Sequence, residues 1–449
     1  MTRKLSLNAF LHDTGHHEAS WRHPESPVGR AHDISFYVEQ ARTAEAAKFD
    51  GVFFADVPGF WASTPYRPAA HLEPITRLSA IAAQTTHIGL IATASTTFYE
   101  PYNLARLFSS LDILSGGRAG WNIVTTQSDL VARNFSLKAI PSAEERYTRA
   151  QEFIDVVTKL WDSWEDDAIT ADRESGVYFD VDKVHQINHV GSHYQVEGAL
   201  AAPRSPQGRP VYVQAGSSNE GRAFAARNAE AIFTAHQTIG DAQAFYADIK
   251  GRAVGLGRQP DDIKILPGIS AFLGDSESEA KELEHYVNSL TVPAYGLAQL
   301  QNLTGTSLQH LDLDEKVPAE IFGDAGNVLD NSRSRLQVVA NIVDREQPTL
   351  RQLLHRLAGG RGHNVVAGSP TQVADIIVDW FENGAADGFN VMPPLYPQLL
   401  DAFTEKVVPI LQDRGVFRTE YEGTTLREHY GLDRPESIYR AGAAAVATA

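Results

Sequence analysis

A closed (β/α)8 barrel of the TIM type, interrupted by insertions, is the fold that this sequence predicts. Three observations carry it. Eight short apolar runs alternate with helical segments along the 449 residues, the pattern of parallel strands joined by crossover helices. Polar and hydroxylated residues stand where these runs stop, and in parallel α/β proteins strand C-terminal ends face the ligand. No GxGxxG follows the first run, so an open dinucleotide-binding sheet lacks its marker.

The elements follow in order. Leu5 to Leu11 is the first run. An amphipathic helix over Ile34 to Lys48 leads to Gly51 to Ala55, which ends at Asp56. Ile75 to Gln84 is the next helix, and Ile88 to Ala92 the third run, ending in Thr93, Ala94 and Ser95. Pro101 sits where a helix can start, its missing N–H harmless in the first turn. Leu104, Leu107, Phe108, Leu111 and Leu114 then recur at helical spacing, and Gly116-Gly117 stops the helix. Ala119 to Val124 is the fourth run and ends in Thr125 and Thr126. A long helix, Glu144 to Trp164, precedes an irregular stretch. Pro210 to Ala215 and Ala231 to Thr234 read as short buried strands, Ile263 to Leu273 as the seventh and Gly388 to Met392 as the eighth. The helices Gln372 to Phe381 and Leu399 to Leu411 flank that last run.

Two segments break the alternation. Residues 165–209 are loop-rich, with PRSPQGRP marking their end. Residues 289–362 are helical and polar, contain Gln299, Gln301, Asp312 and Asp314, and read as an insertion over the active face, a candidate lid. The chain, 1–449, is otherwise one domain. AGAAAVATA at 441–449 is a low-complexity tail, either mobile or packed on a neighbouring subunit.

Composition narrows the function. With 39 basic and 56 acidic residues the net charge is −17, which argues against nucleic acid or an anionic membrane as partner. The absence of cysteine removes disulfides, thiolate catalysis and cysteine-ligated zinc. The N-terminal apolar run is too short for a secretory segment, and no apolar stretch is long enough to span a membrane. A cytoplasmic protein acting on small molecules is expected.

Several residues could carry chemistry. Asp56 ends an apolar strand, where a carboxylate is costly unless partnered; it is either a ligand contact or a cap. Thr93 and Ser95 share that position, although threonine is common in strands. Asn122 lies inside a buried run and needs several partners, from neighbouring strands or from a ligand. Gly216-Ser217-Ser218 follows a strand and precedes a helix near Asn219. Such a turn presents free N–H groups and two hydroxyls, the chemistry that binds phosphate, or else a plain N-cap serine. Tyr147 is a phenol donor or a packing residue. Phe60-Trp61 could form an apolar wall. The loop HDTGHHEASWRH contains His12, His16, His17 and His23. No carboxylate or lysine constellation accompanies it as in barrel metallohydrolases, so His16 and His17 are better read as substrate-contacting, candidate catalytic groups, with no metal.

FFAD, HIGLIATASTTFYEPYNLAR, LSGGRAGWNIVTT, ERYTRAQEF, APRSPQGRPVYVQAGSS and VVPILQDRGVFRTEY together resemble, from end to end, the nitrilotriacetate and dibenzothiophene-sulfone monooxygenase branch of the bacterial luciferase-like flavoproteins. The resemblance implies a barrel that takes reduced FMN as a co-substrate from a separate NAD(P)H-dependent flavin reductase. It implies a two-component monooxygenase using O2 on a small organic substrate of xenobiotic, organosulfur or aminopolycarboxylate type, built as a homodimer or homotetramer. It assigns the FMN site to Asp56, Thr93 and Tyr147, with the phosphate at Ser217 or Ser218, and the site extends to Asn122. Where the family often has histidine, four residues before the tyrosine, this chain has Ala143; the lost donor would weaken FMN binding unless a backbone N–H or water replaces it. Hydride transfer by a bound deazaflavin on the same scaffold is the alternative, and a barrel metal hydrolase is a further one.

Overall fold

The apolar runs pair side by side and close on themselves. The computed structural model describes residues 3–60, 65–68, 71–216, 218–322, 333–360 and 362–439. Its strands are β1 (Ser6–Phe10), β2 (Gly51–Phe54), β3 (Gly89–Ser95), β4 (Ala119–Val124), β5 (His189–Val190), β6 (Gln195–Val196), β7 (Val211–Ala215), β8 (Ala231–Thr234), β9 (Lys264–Leu273), β10 (Asn364–Gly368) and β11 (Gly388–Val391). In parallel order β1, β2, β3, β4, β7, β8, β9 and β11 pair in turn, and β11 returns to β1. These are the eight runs of the sequence, and they form the expected closed barrel.

One strand was missed. β10 pairs with the outer half of β9, Asn364 to Gly368 opposite Ile269 to Leu273. β9 is long enough to serve β8 and β11 with its first residues and β10 with its last. β5 and β6 form an antiparallel hairpin inside the loop-rich 165–209 segment.

The crossover helices include Ile34–Ala46, Pro74–Ala82, Pro101–Leu114 and Ala143–Trp161, each within a few residues of expectation. Pro101 occupies the first turn of its helix. Of the five apolar residues spaced along it, Leu104, Phe108 and Leu111 are buried, whereas Leu107 and Leu114 are 43% and 75% exposed. The buried stripe instead includes Ala105 and Asp112, because a helix on a barrel hides one arc and 107 and 114 lie on one side of it. The helix expected over 399–411 is interrupted by a π turn at Phe403–Val407 before Val408–Asp413, next to Pro409, which has no N–H to give the preceding turn.

The 289–362 insertion corrects the reading of a polar segment. Its helices Pro293–Thr304, Arg333–Glu346 and Leu350–Gly360 enclose an apolar core of their own, with Leu300, Val339, Ile342, Leu350 and Leu353 buried. The last of these helices docks on the barrel end: the Gly359 carbonyl accepts from Ser270 Oγ at 3.3 Å, and the Ala358 carbonyl from the Glu18 N–H at 3.1 Å.

The barrel interior is filled at its base by the chain's C-terminal strap. Leu426 and Tyr430 join Phe10, Phe53, Ile91, Val213 and Met392 in one apolar cluster. Small residues on the strands make the room, since a Cβ on Gly89 would collide with Leu426 and one on Gly120 would lie 3.0 Å from it. Three polar contacts pin the strap: Arg418 to Asp50 at 2.6 Å, Arg427 to Glu230 at 2.6 Å, and the Tyr430 hydroxyl donating to Asn8 Oδ1 at 2.8 Å. The 441–449 tail lies outside the described residues. Among the described residues, no helix is long and apolar enough to cross a membrane.

Candidate active site

With the base plugged, the open end of the barrel is where the strands stop. Register places Thr93 of β3 beside Asn122 of β4. The Asn122 amide donates to Thr93 Oγ1 at 2.8 Å, and the Thr93 hydroxyl donates to the Phe54 carbonyl at 2.9 Å, so one polar chain ties β4, β3 and β2. Thr93 and Asn122 are both buried, yet Asn122 Oδ1 has no hydrogen-bond partner. A buried amide oxygen left unpaired is costly, and this one is an acceptor ready for an N–H or O–H. Ser95 differs: its Oγ accepts from the Thr97 N–H at 3.2 Å and from Thr126 Oγ1 at 2.7 Å, closing the loops rather than facing a ligand.

Asp56 follows the last residues of β2 and is half-buried. Burial, and then the Glu73 carboxylate, push its carboxyl above the usual aspartate range. A carboxylate in that setting gains from any donor brought to it. Phe60 beyond it is 63% exposed; Trp61 lies outside the described residues, as do Ser217 and the contacts expected of it.

The second feature is a cradle at the end of β7. Ser218 caps the helix Asn219–Asn228, its Oγ accepting from the Gly221 N–H at 3.1 Å. Tyr147, one turn into the helix Ala143–Trp161, leans its ring against Phe224, with centroids 5.6 Å apart. A Cβ built on Gly221 would lie 3.2 Å from both Ser218 Oγ and the Tyr147 hydroxyl. The two hydroxyls thus converge over a glycine at a helix N-terminus, where backbone N–H groups are also free. Tyr147 and Ser218 are brought together as expected; Gly221 was missed, although a glycine in the first turn after Gly-Ser-Ser is a visible signal for a close approach. Ala143 is the first residue of its helix, and the cap hydroxyl of Ser142 is taken by the Glu145 N–H at 3.2 Å. Ala143 itself offers no side-chain donor, and the Ser142 hydroxyl, which accepts from Glu145, keeps its own O–H to give.

The loop histidines are held rather than free. His16 is buried and its Nε2 donates to the Phe10 carbonyl at 2.7 Å, an acceptor shared with the Tyr396 hydroxyl. In His17, Nδ1 accepts the Ala19 N–H at 3.1 Å and Nε2 meets Asn288 Oδ1 at 3.0 Å, which fixes the proton on Nε2. Burial takes its imidazole down to about 4. With both nitrogens engaged, His17 pins the first loop to the helix Glu277–Ser289 and is no proton carrier near neutral pH. Its Asn288 partner lies 271 residues away in the chain. Among the described residues, no group of three or more histidine, aspartate or glutamate side chains is arranged to hold a metal ion.

Residues 13–387 match the family model described as luciferase-like monooxygenase. N-acetyl-S-(2-succino)cysteine monooxygenase of Bacillus subtilis (strain 168) is 45% identical over 97% of this chain and 98% of its own. Nitrilotriacetate monooxygenase component A of Aminobacter aminovorans is 44% identical over 97% and 98%. A riboflavin lyase solved with modified FMN and riboflavin superposes with a TM-score of 0.85 at 31% identity, over 96% of this chain and 97% of that one.

Proposed function

The chain belongs to the luciferase-like monooxygenases, flavin-dependent enzymes, and on that premise we propose that it is the oxygenase of a two-component system. It takes reduced FMN made by a separate NAD(P)H-dependent reductase and uses O2 to oxygenate a small organic substrate of organosulfur or aminopolycarboxylate type. The observation that carries this reading is the cradle of Tyr147, Ser218 and Gly221. It suits a phosphate dianion, and it opens at the same barrel end as Asp56 and the unpartnered Asn122 oxygen. The curated relative named as component A supports the division of labour.

Reduced FMN, when bound, supplies the electrons that activate O2. The residues hold and shield it. The Tyr147 and Ser218 hydroxyls and the first N–H groups of the Asn219–Asn228 helix bind the phosphate. Asn122 Oδ1 accepts one donor and Asp56 another. The insertion, docked through Ala358 on the loop that carries His16 and His17 and through Gly359 on Ser270 of β9, covers the strand ends and limits water, which would otherwise divert the oxidant to peroxide.

Stopped-flow mixing of the protein and reduced FMN with O2, over a panel of thioether, sulfone and aminopolycarboxylate substrates, tests the proposal. The expected result is substrate-dependent oxygen uptake with an oxygenated product. Uptake no faster than that of free reduced FMN, with no product from any substrate, rejects it. Reduction of a deazaflavin without oxygen uptake favours the hydride-transfer alternative.

A further inference from the structure

Beside the strand ends lies a carboxylate–imidazole pair that neither the FMN site nor the packing accounts for. Asp13, on the loop after β1, is buried, and one of its oxygens accepts the Tyr37 hydroxyl at 2.7 Å. Its other oxygen lies 3.0 Å from Nδ1 of His71, whose side chain is 35% exposed. Burial resists ionisation of Asp13, but the bond to His71, that to Tyr37 and the Arg77 charge outweigh it and hold the carboxyl below its usual range. A buried carboxylate oxygen 3.0 Å from one ring nitrogen favours the Nδ1–H tautomer and leaves Nε2 on the side away from it.

The pair borders the same face. Asp56 feels the opposing charges of Arg77 and His71, together with the like charge of Glu73 from the start of the helix Pro74–Ala82. The His12 ring is 5.7 Å from that of His71 and 5.3 Å from that of His16, and Arg67 is 3.4 Å from His12 Nε2. Arg77 rests over the Phe54 ring at 4.1 Å, at the end of β2. A lone surface imidazole would be a common sight. One backed by a buried carboxylate, itself oriented by a phenol, is the arrangement that tunes a histidine for proton transfer.

We propose that His71, oriented by Asp13, exchanges protons with the reacting site. Overall, substrate, O2 and reduced FMN become oxygenated substrate, oxidised FMN and water, and both hydrogens of that water derive from the reduced flavin. His71 Nε2 gives a proton to the oxygen atom that leaves as water and regains one of the protons released as the flavin is oxidised, so it ends each turnover as it began. Asp13 is a positioning residue. The proposal rests on the FMN reading of this face.

The test uses the full-length protein labelled with 15N-histidine. Signals of His71, assigned by their loss in His71→Gln, are expected to show the Nδ1–H tautomer of the neutral ring. In Asp13→Asn the preference for a proton on Nδ1 is expected to be lost, because the carboxylate that selects that tautomer is removed. With reduced FMN, His71→Gln is expected to lower kcat about 100-fold or more and abolish the alkaline limb of its pH profile, with the Kd for FMN within about twofold of wild type. Asp13→Asn, whose carboxamide keeps the packing, is expected to lower kcat as well, with the Kd for FMN within about twofold of wild type. Wild-type kcat and an unchanged pH profile in His71→Gln overturn the proposal. Weakened FMN binding with unchanged kcat also overturns it, because the pair then only tethers His71 to the loop after β1. If the wild-type protein binds no FMN, the functional reading and this proposal fall together; if it binds FMN and turns over as His71→Gln does, this proposal alone falls.

Discussion

Replacing Gly221 by alanine separates cofactor binding from stability, because the two should move in opposite directions. Gly221 is the third residue of the helix Asn219–Asn228 and its φ is in the ordinary negative range. Helix propensity alone therefore favours alanine there, by up to about 1 kcal/mol. The new methyl, however, would sit 3.2 Å from Ser218 Oγ, 3.2 Å from the Tyr147 hydroxyl and 3.5 Å from the Gly216 carbonyl carbon. Those separations are a few tenths of an ångström too short for comfort, so the two hydroxyls are pushed apart and the space between them is filled. Losing one charge-assisted hydrogen bond to a phosphate costs about 1.5–3 kcal/mol, which is about 10- to 100-fold in Kd. The assay is titration of reduced FMN under anaerobic conditions, with reduced riboflavin, which lacks the phosphate, as the control. Gly221→Ala is expected to bind FMN more weakly by that factor, bind riboflavin as wild type does, and melt at the same temperature or slightly higher. Equal loss for both flavins, or no loss for either, refutes the assignment of the cradle to the phosphate.

Other outcomes are expected on the same physical grounds. Tyr147→Phe keeps the ring on Phe224 and removes only the hydroxyl, so FMN should bind about 10- to 100-fold more weakly, with riboflavin unaffected; equal effects on both would place the phenol elsewhere. Leu426→Ala should cost about 2–5 kcal/mol in urea unfolding, the range for emptying a fully buried leucine site, and a loss below 1 kcal/mol would mean that the strap is not part of the cooperative core. His17 titrates at about 4 when folded, against 6.5 as the ordinary value, so the unfolded chain binds the extra proton between those values. Its contribution is present above pH 6.5 and is lost as pH falls toward 4. His17→Gln should therefore lessen the fall in urea midpoint between pH 7 and pH 4.5 without removing it, since His236 and His429 are also held at about 4. An undiminished fall would show that His17 is not the group responsible.

The sequence made the barrel legible because its signal is local and repeated: each of the eight runs is a contiguous apolar stretch with a polar end. The candidate site was legible for the same reason, since Asp56, Thr93, Asn122 and Ser218 each sit at or just beyond the end of a recognisable run. What stayed hidden depends on contacts far apart in the chain. Nothing near His17 announces Asn288, and nothing near Asp13 announces His71. Periodicity alone could not tell that Leu107 and Leu114 would miss the buried arc, because the width of that arc is set by the barrel beneath. β10 follows the insertion and pairs only with the far half of β9, so it adds a run without adding a stave. In the insertion itself, the polar residues seen first, such as Asp312 and Asp314, drew attention from leucines whose spacing spans three separate helices.

The C-terminal strap sets an order of events during synthesis. Leu426 and Tyr430 occupy the base of the barrel between strands that left the ribosome hundreds of residues earlier. At translation rates of about 5–20 residues per second, Gly89 and Gly120 therefore wait tens of seconds for the side chains that fill the room they leave. During that interval the nascent barrel carries an open floor lined by Phe10, Phe53 and Ile91, a surface that a chaperone would recognise and that another nascent chain could invade. Completion of folding is thereby tied to completion of the chain, and a message truncated before codon 426 yields a barrel that lacks its own plug.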